Sequence, residues 1–254
     1  MSNGADLFCR TLEALGVEVV FGVPGTQNVL LYEAIRRSRI RSVLATSETA
    51  ASFMANGYFR ASGKVAPVVT IPGPGFTYAL TGVAEASQDS VALLHVVGKP
   101  ETREGKSYGF QAIDQAAIAG PLVKGVVNVD RVEEIAEKVS EAFGLAVEGE
   151  PGPVLLQWCK DALNADLPGP AAPSFKRVGP GPTPPESLVE EAARFIGTAR
   201  KPILLLGQGC AAHAAELAAL AERLNAPVFT TISGRGILPE DHELSLGFDL
   251  VRSE

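Results

Sequence analysis

VEVVFGVPGTQNVLLYEAIRRSRIRSVLATSETAASFMANGYFRASGKVAPVVTIPGPG, residues 17–75, decides the fold. Three short strand-like runs, 17–21, 40–45 and 65–71, alternate in it with stretches of helical spacing at 29–37 and 48–61. Two of the runs end on glycine and proline, at Gly22-Val23-Pro24-Gly25 and at Pro72-Gly73-Pro74-Gly75. Such punctuation marks the place where a buried strand delivers the chain into a turn. Nearly continuous apolar strands separated by single helices predict an α/β fold, a parallel sheet with helices on both faces.

The same alternation extends outward in both directions. Upstream, Leu7, Phe8, Leu12 and Leu15 recur at helical spacing over 6–15, and Gly16 is a stop signal. Downstream come a helix over 77–87, a strand over 91–97, an apolar run over 120–128, a helix over 132–146 and a strand over 153–157. These complete a first domain over 1–165. The segment PGPAAPSFKRVGPGPTPP, ending at Pro185, is crowded with proline and glycine, so 166–185 reads as a linker. Over 186–254 the α/β alternation restarts with helices at 186–196 and 211–224 and strands at 202–206 and 227–231. Two strands and two helices bury little surface, so this stretch reads as an incomplete second α/β domain.

The 22 basic and 29 acidic residues give a net charge of -7. No Lys/Arg run exceeds two, which argues against a nucleic-acid partner. Three widely spaced cysteines, Cys9, Cys159 and Cys210, do not suggest a disulfide framework and fit a cytoplasmic setting. No apolar stretch reaches the roughly 18 to 20 residues that span a bilayer, so no membrane partner is expected. His95, His213 and His242 lack metal-ligand spacing and read as structural.

In an open α/β sheet ligands bind beyond the carboxyl ends of the strands. Three loops qualify: Gly22 to Gly25, Thr46-Ser47-Glu48, and Pro72 to Gly75 with Phe76 and Thr77. Glu48 opens a helix, where backbone amides and the helix dipole favour a carboxylate. From spacing alone the ordinary first-turn acid is the favoured reading. Gly25 and Gly75 allow close backbone approach, although plain βα turns require the same residues.

The stretch SETAASFMANGYFRASGK (47–64) resembles the segment around the activating glutamate of thiamine-diphosphate enzymes of the acetolactate synthase, pyruvate oxidase and benzoylformate decarboxylase type. So do FGVPG (21–25), GPGFTYALTGVAEA (73–86), DSVALLHVVG (89–98) and EGEPGPVLLQW (148–158), in family order and spacing. The resemblance makes 1–165 the pyrimidine-binding domain. KPILLLGQG (201–209) and APVFTTISGRGILPEDHELSLG (226–247) resemble the first half of the family's central domain.

The resemblance implies roles. Glu48 hydrogen-bonds the aminopyrimidine ring of thiamine diphosphate and so activates the cofactor toward a 2-keto acid, as a lyase or carboligase. Pro24, Gly25, Pro74, Gly75 and Tyr78 fall at cofactor-binding positions. Phe110-Gln111 matches a pair over the active site, with Gln111 directed at substrate or intermediate. The Gly-Asp-Gly then Asn segment that holds the diphosphate through Mg2+ in the family does not occur in the sequence. That metal is therefore assigned to a further domain, and a homo-oligomer of at least two subunits is expected. Gly207-Gln208-Gly209 lacks GxGxxG spacing, so FAD is only an open second cofactor. The sequence departs from the acetolactate synthase pattern at Ser47 (usually His), Tyr78 (often Asn), Pro72 (often Ser) and Lys99 (often Gln), which points to a different substrate. The competing reading is a non-catalytic binding or assembly module descended from the family.

Overall fold

The structure is a computed structural model that describes residues 3–99, 110–167 and 183–248. Most of the 166–185 linker and the final residues of the sequence lie outside the described residues. The chain separates into two compact units, Met1–Pro180 and Gly181–Glu254.

The first unit begins with α1 (Gly4–Ala14), capped reciprocally by Asn3 and Asp6. Each of these two side chains satisfies a backbone donor of the other, as in a capping box. Next come β1 (Val19–Gly22), α2 (Val29–Arg37), β2 (Arg41–Leu44), α3 (Glu48–Ser62), β3 (Pro67–Thr70), α4 (Pro74–Gln88) and β4 (Leu93–Gly98). After 100–109, which lie outside the described residues, α5 (Gln115–Ala119), a 3-10 turn, β5 (Gly125–Val129), α6 (Ile135–Val147), β6 (Pro153–Trp158) and α7 (Lys160–Asn164) complete the unit. The strands form one six-stranded sheet in the order β2-β1-β3-β4-β6-β5, and every pairing is parallel. The α/β expectation is met.

Strands β1, β3, β4 and β6 are buried at every residue, as a sheet covered on both faces requires. Alternate residues feed two cores: Val68 and Leu93 point into one, Val69 and Leu94 into the other. The larger core is filled by α1, α2 and α6 with Phe8, Leu12, Leu31, Ile35 and Ile135, and Phe8 meets Trp158 edge to face. The opposite core is small-residue packing, with Ala51 and Ala55 of α3 and Ala79, Val83 and Ala86 of α4. A Cβ on Gly82 would stand 2.3 Å from Ser52 Oγ and 2.9 Å from the Ser52 backbone carbon, so the two helix backbones nearly touch.

Several boundaries differ from the sequence reading. Pro72 to Gly75 is not wholly a turn: Gly73, at φ +68°, is the N-cap and Pro74 the first residue of α4. Proline suits that position because its missing N–H would be unpaired there anyway. The 120–128 run divides into a 3-10 turn and β5, and the short helices α5 and α7 lack enough periodicity to be read.

In the second unit, α8 (Glu186–Gly197) precedes β7 (Leu204–Leu206), a 3-10 helix (Gln208–His213), α9 (Ala214–Leu224) and β8 (Val228–Thr230). The helix expected over 211–224 thus starts as 3-10. β7 and β8 pair in parallel, and residues 244–247 bond to the other side of β8. A small core of Leu206, Ala221, Val228, Ile237 and Leu238 holds this unit, whereas every residue of α8 is exposed.

Candidate active site

From β1 the chain moves to β2 on one side, and from β3 to β4 on the other. The carboxyl ends of β1 and β3 therefore flank a topological switch point, where open α/β sheets leave a crevice for ligands. Both glycine-proline loops rise from these two strands.

The loop after β1 is tied by Asn28, which is buried. Its Oδ1 accepts from the Gly25 N–H at 2.8 Å and its Nδ2 donates to the Val23 carbonyl at 3.3 Å. A Cβ on Gly25 would come within 2.7 Å of Ile71 Cγ2. From the other loop, a Cβ on Gly75 would lie 2.6 Å from Ile71 Cγ1 and 3.1 Å from Glu48 Oε1. Ile71 is thus the shared neighbour of Gly25 and Gly75, and Glu48 lies beside Gly75. Both glycines are required by close approach, and neither is at positive φ.

Glu48 is the first residue of α3 and is half-buried. Its carboxylate makes no hydrogen bond or ion pair among the described residues. Charged groups elsewhere on the first unit are commonly paired, as in Arg37 with Asp6 and Lys99 with Asp130. Tyr32 lies near Glu48: burial first, and then the Glu48 charge, raise its hydroxyl well above the usual phenol range. That hydroxyl donates to the Val69 carbonyl at 3.3 Å.

Gln111 stands over the second loop with its backbone in the left-handed region, φ +61°. Gly73 lies directly beneath, where a Cβ would be 2.9 Å from both Gln111 Cβ and its carbonyl oxygen. The Gly73 N–H donates to Gln115 Oε1 at 3.3 Å. Buried Gln115 in turn donates to the Gly98 carbonyl and to Gln157 Oε1, and Gln157 donates to Asn128 Oδ1. This chain of amides ties the ends of β4, β5 and β6 to the Gly73 turn.

The remaining positions are less central. Pro24 and Pro74 are exposed beside their glycines. Tyr78 is 62% exposed, and it is its carbonyl, accepting from Thr49 Oγ1 at 2.7 Å, that links α4 to α3. His95 is fully buried, stacks on Phe76 and shares a 3.0 Å hydrogen bond with Thr70; burial pushes it down to about 3, so it stays neutral. Gly207 caps the 3-10 helix of the second unit. Asn28, Tyr32, Ile71 and Gln115 carried no sequence signal, since a buried amide or a lone isoleucine looks like core until its neighbours are known.

No described helix is long and apolar enough to cross a membrane. Among the described residues no group of three or more His, Cys, Asp or Glu is placed to hold a metal ion.

Comparison with known proteins gives the same direction. Residues 2–118 match the thiamine pyrophosphate enzyme N-terminal TPP binding domain, and residues 189–252 match the thiamine pyrophosphate enzyme central domain. The chain is 38% identical to a probable acetolactate synthase large subunit of Methanococcus aeolicus, over 96% of this chain and 42% of that protein. It is 34% identical to the acetolactate synthase isozyme 1 large subunit of Escherichia coli, over 96% of this chain and 44% of the relative. The chloroplastic acetolactate synthase of Arabidopsis thaliana is 38% identical over 96% of this chain and 37% of its own length. The chain thus spans about two fifths of these relatives. Two domains of one family, matched in order along the chain, show that it belongs to the thiamine pyrophosphate enzymes.

Proposed function

We propose that this chain supplies the pyrimidine-binding part of the active site of a thiamine-diphosphate-dependent lyase or carboligase acting on 2-keto acids, similar to acetolactate synthase. The observation that carries the reading is Glu48: a half-buried carboxylate with no hydrogen-bond or ion-pair partner among the described residues, its Oε1 beside Gly75 at the switch point of the sheet. A flat heteroaromatic ring with a hydrogen-bonding nitrogen fits this arrangement. The Gly25 and Gly75 backbones can approach such a ring closely, and Glu48 can hold or pass a proton at its nitrogen.

Thiamine diphosphate, when bound, supplies a nucleophilic carbon and an electron sink for loss of carbon dioxide from the keto acid. Glu48 holds the ring and exchanges the activating proton. Pro24, Gly25, Pro74 and Gly75 shape the cradle around it, with Tyr78 one helical turn beyond. Gln111, above Gly73, directs its amide at the substrate. The diphosphate and its Mg2+ are held by residues outside this chain, contributed by a further domain or a second subunit. This part of the reading draws on relatives more than twice as long as the chain. Three free cysteines, with Cys9 buried and its thiol pushed up to about 12, fit a reducing cytoplasm.

The test is Glu48→Gln in the assembled enzyme that carries this chain. Turnover of a 2-keto acid is expected to fall about 10²- to 10⁴-fold with an unchanged melting temperature. Full turnover in the variant would move the activating role elsewhere. Calorimetry of thiamine diphosphate with Mg2+ should show binding to the assembled enzyme and far weaker binding to the 254-residue chain alone. Absence of binding in both would favour a non-catalytic module.

A further inference from the structure

The Gln111 side chain receives a hydrogen bond from a residue 84 positions away: Gln27 Nε2 donates to Gln111 Oε1 at 2.9 Å. Both side chains are half-buried. Gln27 belongs to the turn between Gly25 and α2, so this bond joins the loop after β1 to the segment lying over the loop after β3.

Neither backbone has much freedom at these positions. Gln27 sits inside the turn closed by Asn28, whose N–H donates to the Gly25 carbonyl at 3.1 Å while its side chain accepts from the Gly25 N–H. Gln111 is held in the left-handed region against Gly73. Three residues on, Asp114 caps α5 by accepting from the Ala117 N–H, and Gln115 is locked into the buried amide chain. What remains adjustable in Gln111 is the rotation of its side chain.

An amide has one acceptor end and one end with two donors. With its oxygen engaged by Gln27, Gln111 presents its NH2 group. We propose that Gln27 is a positioning residue that fixes the Gln111 amide with its donors outward, so that the site selects a substrate with an anionic oxygen, the carboxylate of a 2-keto acid, over an uncharged analogue. Local donors matter here because a chain of net charge -7 offers no general attraction for anions. The inference rests on the substrate-facing role given to Gln111 above.

The experiment is a double-mutant cycle of Gln27→Leu and Gln111→Leu in the assembled enzyme, with pyruvate and its methyl ester as probes. Gln27→Leu is expected to raise KM for pyruvate roughly tenfold, the size of effect expected from a misplaced hydrogen bond, with kcat within about twofold. Methyl pyruvate, which has no free carboxylate to release as carbon dioxide, is read as a competitive inhibitor, and its Ki should not move. In the Gln111→Leu background, Gln27→Leu should add nothing. A second readout needs no turnover: in the 254-residue chain the Gln111 side-chain amide resonances should shift, and their hydrogen exchange accelerate, on Gln27→Leu.

An undiminished Gln27→Leu effect without Gln111 would overturn the proposal, as would equal losses for pyruvate and its ester. Unchanged KM in Gln111→Leu would also overturn it while leaving the role of Glu48 intact. Full turnover in Glu48→Gln, or no binding of thiamine diphosphate by the assembled enzyme, would bring down the underlying reading.

Discussion

The two faces of the six-stranded sheet are built on different plans. On one, α1, α2 and α6 bury large side chains such as Phe8, Leu12, Leu31, Ile35 and Ile135. On the other, α3 and α4 bury alanine and valine, and Gly82 lets the helix backbones meet at Ser52. Both candidate site elements on that face, Glu48 and Pro74-Gly75, are first-turn residues of these closely packed helices. Bulk on one face makes the unit stable. Smallness on the other brings α3 and α4 together, and on the reading proposed above that spacing would set the room between their N-termini.

This contrast can be broken by three substitutions. Leu12→Ala on the bulky face should reduce the unfolding free energy by about 2–5 kcal/mol, read from denaturant melts, because a fully buried leucine leaves a cavity. Turnover per folded molecule should be unaffected, and a matching loss of turnover would show that this face also tunes the site. Gly82→Ala on the small-residue face should cost about 1–3 kcal/mol, since the new methyl meets Ser52 backbone as well as its hydroxyl. Here affinity for thiamine diphosphate should fall too, measured by calorimetry on the assembled enzyme. Retained affinity would mean that helix spacing does not set the cradle. Gly57→Ala is the control within α3: the position is exposed with nothing within 4 Å of the added Cβ. Higher helix propensity should raise stability by about 0.5–1 kcal/mol in thermal melts of the 254-residue chain. A loss instead would reveal a neighbour at that surface.

The plan of the sheet was legible because its signal is local. Val19 to Phe21 and Val68 to Ile71 are apolar runs that stop at glycine and proline, and the residues themselves say where each strand ends. Glu48 was conspicuous at a helix start, but only the likeness of 47–64 to a known family separated it from an ordinary first-turn acid. Gln27 and Ile71 could not be read in advance. Their importance comes from what β1 and β3 bring beside them, and parallel neighbours lie tens of residues apart in sequence. The start of α4 was obscured for a different reason: Pro74 is equally at home in a turn and at the first position of a helix.

Strand order also has a consequence for the protein as it is made. β1, β2, β3 and β4 form one unbroken block of the sheet, and all have been synthesised by Gly98. The other end of the sheet cannot be laid down in that sequence. β5, completed at Val129, has no place beside β4 and must wait for β6, completed at Trp158, to be inserted between them. Chains emerging amino terminus first at about 5–20 residues per second therefore spend a few seconds between a pairable four-stranded block and the full six-stranded sheet. During that interval the quarter that carries Glu48 and both glycine loops can already be assembled, while the nascent edge at β4 is the part that needs shelter.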